Sequence, residues 1–584
     1  MLDKYYDSYG YERPESFITT AELRGVKFAA SKTTSQKRTE LQAFFSEAGQ
    51  STGDLIQSPL LMKPIPVPPH DYSKDYLTIE AVEDGNIFFV FNGKIKSDLL
   101  SSISYSTDGG ETWVTEENPY KFMQEASITI PKSGKNGGNS PKVIDDGENQ
   151  QEHYYESIDD ELVDEIIDDV EQDIVDWRDL FGKKSLEGDM LTINVSAGDK
   201  VLFKGSAQSF GDISGSTVSK CHFGSDCKVD VYGNIMSLCY KDDFSNKHEL
   251  LHDCQFDAMF AGTDIVNASN LVLPATTLTL RCYEYMFSGC TSLVSTPQLP
   301  ATKMAARCYQ DMFCLCSQLT KSPKLPALEL GELCYQAMFS GCTSLVDTPE
   351  LKANVIERGS YAFMFSGCKS ITKTPDLPAT TLADICYYNM FRDCTSLVNT
   401  CKLPAMNIPD SGYTSMFILC TSLTEMPYLP ATTLGMWCYV KMFAGCTSLV
   451  TTKRLPCEKL CDECYGYMFS GCTSLTVAPE LPSTTLGVWC YAHMFEKCTS
   501  LTTAPELPAM TLIGGCYRTM FGGCSNLTYI KCLVEDLGQS LSSNPFLSWV
   551  SGVSTSGTFV KKSGVEWPSG LNGIPNGWTV EEVE

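Results

Sequence analysis

Residues 282–302 read CYEYMFSGCTSLVSTPQLPAT, and closely similar stretches return at 334–354 (CYQAMFSGCTSLVDTPELKAN) and 464–486 (CYGYMFSGCTSLTVAPELPSTTL). Each contains a Met-Phe pair, and the chain has eleven such pairs, spaced by 27 residues once and by 26 residues nine times. A fixed period of this length is typical of repeat architectures, in which each unit buries its apolar side against the next. The pairs begin at Met259, Met286, Met312, Met338, Met364, Met390, Met416, Met442, Met468, Met494 and Met520.

Three further apolar positions recur in the last ten units, counted from the methionine of each pair. Tyr stands three residues before it, Cys four residues after it, and Leu or Ile seven residues after it, in all ten units. The spacings of three and four from Cys282 to Cys290 predict a short amphipathic helix, with Gly289 as a left-handed C-terminal cap. Two prolines within 293–300 predict an extended segment after it.

Cysteine is concentrated in two columns of the repeat. A second Cys stands four residues before the methionine in eight units, so the two columns hold 18 of the 27 cysteines. Both columns share the predicted buried stripe, where a free thiol packs as a small apolar group. The first residues, MLDKYYDSYGYERPE, have neither the basic nor the apolar part of a secretory signal peptide. We therefore expect free thiols, not disulfides.

The three quoted stretches resemble the leucine-rich repeats of the BspA type, and the resemblance covers residues 254–531. That family occurs in surface proteins of gut and oral bacteria and in proteins of the phages that infect them. The resemblance implies a curved solenoid that binds other proteins or glycans and has no catalytic role. The units depart from the pattern at Lys352, where Pro is usual, and at Ser360 and Gly412, where the leading Cys is missing.

The sequence predicts a multidomain chain that combines an α/β repeat with an all-β module. A leucine-rich-repeat solenoid of about 11 coils occupies 259–531, between caps at 206–258 and 532–584. Strand-forming segments within 73–205 predict a small β-sandwich, with a hairpin at 103–114 (ISYSTDGGETWV). Residues 1–72 are predicted to be an extended N-terminal anchor that ends in a proline-rich linker.

An acidic insertion at about 132–188 interrupts the predicted sandwich. Between 145 and 179 it has 16 acidic residues and one basic residue, in a chain whose net charge is −27. Apolar residues recur there every three or four positions, which predicts an amphipathic helix. Its apolar side either packs on the sandwich or docks a basic partner. The docking residues would be Leu162, Ile166, Val170, Ile174 and Trp177.

Two positions of the repeat vary between units, with aromatic and charged residues among them. They lie five residues and one residue before the methionine. Exposed aromatic side chains stack on sugars or anchor protein partners. The alternative is neutral variation on a solvated surface. The candidate ligand-binding residues are Trp437, Trp489, Tyr285, Phe363 and Tyr467.

Three motifs suggest chemistry, but none supports an enzyme. Residues 106–113 (STDGGETW) fit the Asp-box hairpin of sialidases, a structural motif remote from catalysis. Two other sets of residues lack the surroundings or the spacing of a metal site. They are the iron–sulfur-like Cys457, Cys461 and Cys464 and the zinc-like Cys227, Cys239, His248 and His252. The sequence therefore predicts no catalytic residue, no metal and no cofactor.

The acidic composition also restricts the partners. A pI near 4.7 is unsuited to nucleic acid, which is bound through clustered Lys and Arg. No apolar run approaches the roughly 18 residues of a membrane span, so no membrane insertion is expected.

The sequence predicts a non-enzymatic virion structural protein, of fibre or decoration type, from a phage of gut bacteria. Its N-terminal segment attaches to other virion proteins, and its solenoid binds a host cell-surface protein or glycan. Homo-oligomer formation stays open. The alternative is a bacterial cell-surface adhesin, which requires an export signal, whereas a virion protein is made in the host cytoplasm.

Overall fold

The computed structural model describes residues 70–91, 99–118, 190–214, 217–538 and 543–584. The predicted N-terminal anchor, nearly all of its linker and the acidic insertion with its docking residues lie outside the described residues. Contacts group Tyr72–Glu584 as one unit. No helix within the described ranges is long and apolar enough to cross a membrane.

Two sheets precede the repeats. The larger has the antiparallel order β10-β1-β6-β3-β4, and the smaller has the order β5-β2-β9. Their strands are β1 (Leu77–Ala81), β2 (Gly85–Val90), β3 (Ser102–Ser106), β4 (Val114–Glu117), β5 (Met190–Val195), β6 (Lys200–Gly205), β9 (His222–Ser225) and β10 (Val229–Asn234). Between β6 and β9, β7 (Gly211–Ser214) and β8 (Thr217–Lys220) form a separate antiparallel pair.

The chain passes between the two sheets several times. β1 lies in the larger sheet and β2 in the smaller, and β5 and β6 are divided in the same way. The Phe203 ring of β6 lies 4.7 Å from the Phe223 ring of β9, so aromatic contacts join the two sheets. Because β9 and β10 complete these sheets, the predicted boundary at residue 205 does not separate two structural units.

The predicted hairpin at 103–114 is confirmed. β3 and β4 pair antiparallel, and Asp108 holds the turn between them. Its carboxylate accepts hydrogen bonds from the Thr112 amide at 2.9 Å and from Ser106 Oγ at 2.7 Å. Bonds from Thr112, the largest cause, and from Ser106 hold the pKa of Asp108 well below its usual range. The Asp box therefore acts here as a structural turn.

The central stretch of each repeat is a succession of turns, and the predicted helix is wrong. Within the described residues the one α-helix is α1 (Ser237–Tyr240), which precedes the repeats. Every fourth residue of the stretch is left-handed instead, with φ of 55° at Arg281, 56° at Tyr285 and 73° at Gly289. A period of four and the 3.6-residue period of a helix diverge by only roughly 80° over nine residues. The apolar spacing was therefore compatible with both structures.

Hydrogen bonding along this stretch alternates between the turn itself and the next repeat. The Tyr283 amide donates to the Cys308 carbonyl at 3.1 Å, and the Tyr285 amide donates to the Gln310 carbonyl at 2.9 Å. The intervening amides close turns, as when Met286 donates to the Tyr283 carbonyl at 3.3 Å. Bonds between repeats help to offset the cost of left-handed backbone at residues other than glycine.

The extended segments of neighbouring repeats pair in parallel, as short strands or as single bridges. Lys321 with Asp347 and Thr451 with Val477 are two of the bridges. β13 (Val355–Ile356) pairs with β14 (Thr381–Leu382), and β15 (Asn407–Ile408) pairs with β16 (Thr433–Leu434). The first repeat also contains β11 (Ile265–Asn267) and β12 (Leu271–Val272). After the last repeat, β17 (Tyr529–Cys532), β18 (Thr558–Lys562) and β19 (Thr579–Val583) form a parallel sheet.

Both ends of the repeat array, residues 254–532, are covered. β11 and β12 pair with β10, so the larger sheet continues into the first repeat. The Phe223 amide donates to the Met259 carbonyl at 2.8 Å. At the other end the Phe521 amide donates to the carbonyl of the fully buried Trp549 at 2.9 Å. These contacts satisfy backbone groups that a bare array end would leave unpaired.

Candidate binding surface

Aromatic rows form the interior of the array. Each Tyr three residues before the methionine stacks on its equivalent in the next unit, with ring centroids 5.5–6.1 Å apart. The Phe of the Met-Phe pair forms a second row with spacings of 5.5–5.8 Å. This close-packed interior fixes which positions face outward in every unit.

The cysteines are unpaired, as expected, and their thiols have a specific role. The ten that lie four residues after the methionine each donate Sγ–H to the carbonyl of the Phe in the preceding unit, at 3.0–3.2 Å. All 27 cysteines are free. Burial raises the pKa of Cys342 and of Cys524 to about 12, which keeps these sulfurs protonated. The thiol ladder is therefore unreactive core.

We call the side formed by the successive turns of each unit the turn side. The candidate ligand-binding residues lie there, in the two variable columns, whose residues have left-handed backbone conformations. Four are half-buried: Tyr285, Trp437, Tyr467 and Trp489. Phe363 is only 7% exposed, so the exposure predicted for it is wrong. It packs against Ala337 and Ala362, and the Tyr388 ring of the next unit lies 5.3 Å away.

The two half-buried tyrosines make close contacts within the protein. The Tyr467 ring is stacked on His493 at 4.3 Å, and Lys441 Nζ lies 5.3 Å from its centroid. Lys220 Nζ lies 4.6 Å from the centre of the Tyr285 ring. Since neighbouring side chains already occupy positions over these rings, less ring surface is available for a ligand.

The two tryptophans are also engaged. Trp437 shares a hydrogen bond with Glu463, and burial, the largest cause, raises the pKa of that carboxyl group. The guanidinium of Arg518 lies 5.8 Å from the Trp489 ring. A Cβ on Gly515 would overlap the Trp489 indole, so glycine is required beneath it. The turn side therefore uses its aromatic residues largely to join one repeat to the next.

A different side of the array carries a regular exposed column that the sequence analysis missed. We call the positions five to ten residues after the methionine the ladder side, because one of the two sets of parallel bridges lies there, as between Lys321 and Asp347. The other set lies seventeen residues after the methionine, as between Lys303 and Glu329. The residue eight after the methionine is β-branched in all ten units and exposed in all ten. This β-branched column is Val294, Thr320, Val346, Thr372, Val398, Thr424, Val450, Thr476, Thr502 and Thr528. The sequence shows this column directly, because it immediately follows the Leu or Ile that stands seven residues after each methionine.

Charge divides the ladder side into two parts. In the last four units it reads TSLVTT (447–452), TSLTVA (473–478), TSLTTA (499–504) and SNLTYI (525–530), without a charged residue. We call these four segments the uncharged face. Four of the six earlier units carry charges, at Lys321, Asp347, Lys369, Lys373 and Glu425.

Buried charges lie where β8 meets the first repeats. Lys220 Nζ is 2.8 Å from Asp257 Oδ1, and Arg281 pairs with Glu284. Both carboxylates are fully buried. Burial first, and then the negative charge of Asp257, raise the pKa of Glu284 to about 8. Such pairs are costly to break because the remaining charge is left without compensation.

The metal-like motifs do not form metal sites in the described part of the chain. There, no group of three or more His, Cys, Asp or Glu side chains has a geometry suited to a metal ion. Cys461 Sγ donates to the Leu434 carbonyl at 2.8 Å. Cys239 accepts a hydrogen bond from Gln255, and His252 pairs with Gln208 at 2.8 Å.

Comparison with known families agrees with this geometry. The family described as BspA type leucine rich repeat region matches in six copies, over residues 258–398, 309–449 and 414–547. No curated protein and no solved structure matches the chain. The matched span coincides with the stacked Tyr, Phe and Cys columns. Residues 258–547 are therefore a BspA-type leucine-rich repeat region.

Proposed function

We propose that the chain is a non-enzymatic binding protein that meets its partner through the ladder side of its repeat array. The observation that carries this proposal is the β-branched column, uniform in shape and exposed in all ten units. Uniform columns in the interior follow from packing, because each side chain must fit its neighbour. An exposed column has no such requirement, and a large regular apolar and hydroxyl surface is suited to recognition.

Two features of the architecture belong to the same proposal. The array is a solenoid of about 11 coils with a period of 26 residues, supported by the continuous Tyr and Phe rows. The strands before it form a β-sandwich, supported by the contact of Phe203 with Phe223 between the two sheets. In this arrangement the sandwich covers the first coil and supports it.

The specific role that we propose is a virion structural protein, of fibre or decoration type, from a phage of gut bacteria. Its N-terminal segment attaches to other virion proteins, and its array binds a host surface protein or glycan. Support comes from the cysteines, all unpaired and all buried except the half-buried Cys401 and Cys461. A core rich in thiols suits folding in a reducing cytosol, where virion proteins are made. The alternative remains a bacterial cell-surface adhesin of the same repeat family.

Particle attachment separates the virion from the adhesin. Purified particles are analysed by mass spectrometry after expression of the full chain or of a chain that lacks residues 1–72. We expect the full chain on the particle and the truncated chain in the soluble fraction, because contacts between neighbouring repeats do not need the N-terminus. Equal amounts of both chains on particles would contradict the anchor, and absence of the full chain from particles would favour the adhesin.

The binding side is tested with two triple variants. Val346→Asp, Val398→Asp and Val450→Asp place three charges in the β-branched column, where the valines are 56%, 42% and 41% exposed. The matched control changes three exposed apolar residues outside the ladder side, Leu328→Asp, Met406→Asp and Tyr428→Asp. Labelled protein is titrated onto host cells. We expect at least tenfold weaker binding for the first variant and unchanged binding for the control, and equal binding by both would refute the proposed side.

A further inference from the structure

The uncharged face is unusual for this chain, whose net charge is −27. It joins four consecutive units, and it continues beyond the last one into the C-terminal sheet. Tyr529 of β17 pairs in register with Thr558 of β18, which pairs in register with Thr579 of β19. The position nine residues after the methionine therefore begins a row that the C-terminal strands continue: Thr451, Val477, Thr503, Tyr529, Thr558 and Thr579.

The length of this row follows from strand spacing. Parallel strands lie roughly 4.8 Å apart, so six neighbouring strands extend over roughly 24 Å. Every position in the row carries a hydroxyl group or an apolar side chain, and none carries a charge. A ligand that lies along the array would therefore meet similar chemistry at each step.

Several hydroxyl groups of the uncharged face donate hydrogen bonds to backbone carbonyls of the preceding unit. Thr476 Oγ1 donates to the Val450 carbonyl at 3.3 Å, and Thr528 Oγ1 donates to the Thr502 carbonyl at 3.2 Å. Thr499 Oγ1 donates to the carbonyl of Thr473 at 3.4 Å. Each of these hydroxyls has used its single proton on backbone, and its oxygen keeps lone pairs that accept. At these three positions the face therefore offers acceptors and methyl groups.

Two pairs of opposite charges lie beside the uncharged face. Arg454 lies 3.9 Å from Glu480, and Lys531 lies 2.8 Å from Glu506. These surface pairs reduce the field that a charged ligand would experience at the border. An anionic ligand finds no cation on the face itself, and a cationic ligand finds no carboxylate there.

We propose that the uncharged face binds a neutral polysaccharide whose chain runs along the array. Repeated O–H groups of such a polymer are donors for the row of hydroxyl oxygens, and its C–H surfaces pack on the valine and threonine methyl groups. This inference rests on the proposed function, since it names the ligand of the ladder side. It restricts that ligand to one chemical class and to the C-terminal part of the array.

The test is electrophoresis of the full chain in native gels that contain one polysaccharide each. The neutral polymers are dextran, mannan and xyloglucan, and the acidic polymers are alginate and hyaluronan. We expect at least one neutral polymer to retard the protein and neither acidic polymer to do so. Retardation by no neutral polymer, or equal retardation by acidic ones, would overturn the inference. If host cells are still bound through the β-branched column, the proposed function stands with a different ligand, such as a surface protein.

Variants locate the binding on the face. Thr476→Asp with Thr502→Asp introduces charge, and Thr476→Val with Thr502→Val keeps the β-branched shape but removes two acceptors. We expect at least tenfold weaker retardation for the first pair and a smaller loss, of about threefold, for the second. The matched control is Thr320→Asp with Thr372→Asp, in the same column but in the charged part, and it should bind as the unchanged protein does. An equal loss in the control pair would overturn the placement.

Discussion

The interior columns and the β-branched column are equally regular, but only the first regularity is explained by packing. Every Tyr of the interior row is within 5.5–6.1 Å of the next ring, so a different side chain would leave a void or a clash. The neighbouring ladder-side position, nine residues after the methionine, is also exposed, and there Lys321, Asp347 and Lys373 succeed one another. Outer positions of this array therefore tolerate variety. The difference indicates that the uniform outer column serves contact with something outside the chain.

The largest expected effect comes from breaking the interior. Met390 is fully buried, so Met390→Asp places an unpaired charge among apolar side chains and should cost several kcal/mol. Limited proteolysis should then cleave near that repeat, while the sheets that contain β1 to β6 survive, because each repeat contacts mainly its neighbours. Val398→Asp, on the exposed column, is the control. Unchanged proteolysis of Met390→Asp would mean that the buried apolar positions are not essential to the packing of neighbouring repeats.

A second variant compares the two outer sides. Trp437→Ala with Trp489→Ala removes two half-buried indoles that join neighbouring repeats. Each should cost roughly 2 kcal/mol of stability, about half of the loss from a fully buried Trp. Binding to host cells should be unchanged when it is measured well below the unfolding temperature. Weaker binding by a fully folded double variant would instead assign ligand contacts to the turn side, as its aromatic residues first suggested.

The stability of the junction between the sheets and the repeats should depend on pH. Glu284 is buried near Asp257, and its pKa is raised from 4.5 to about 8. A carboxyl group with a raised folded-state pKa binds its proton more tightly in the folded state. Its contribution is therefore fully present below pH 4.5 and lost as pH rises through about 8. Urea midpoints measured from pH 5 to pH 9 should fall.

The matched control for this junction is Glu284→Gln, which stays neutral throughout the range. It should reduce the pH dependence without removing it, because burial also raises the pKa of Asp257, which stays in place. An unchanged slope in the variant would show that another group causes the decline. Since Arg281 and Lys220 lie beside these carboxyl groups, we expect a smaller effect than that of a new, unpaired charge in the interior.

The sequence was sufficient for the repeat, its buried columns and the free thiols, because these depend on which side chains recur at a fixed spacing. It was insufficient for the turns, because periods of 3.6 and four residues are nearly equal over so short a stretch. The pairing of β9 with β2 joins His222–Ser225 to Gly85–Val90, which no local pattern reveals. The burial of Phe363 depends on Tyr388 in the next unit, a residue that varies between repeats.

The smallest expected effect gives the sharpest comparison, since two adjacent residues face opposite sides. Leu397 is fully buried and Val398 is 42% exposed. Val398→Thr keeps the β-branched shape that a strand favours and should change the free energy of unfolding by less than about 0.5 kcal/mol. Leu397→Thr shortens a core side chain, places a hydroxyl in an apolar interior and should cost about 3 kcal/mol. Both are measured by urea unfolding, and a loss above about 1 kcal/mol for Val398→Thr would mean that the column is part of the packed core. In that case stability alone would explain why the column is regular, and binding would no longer be needed to account for it.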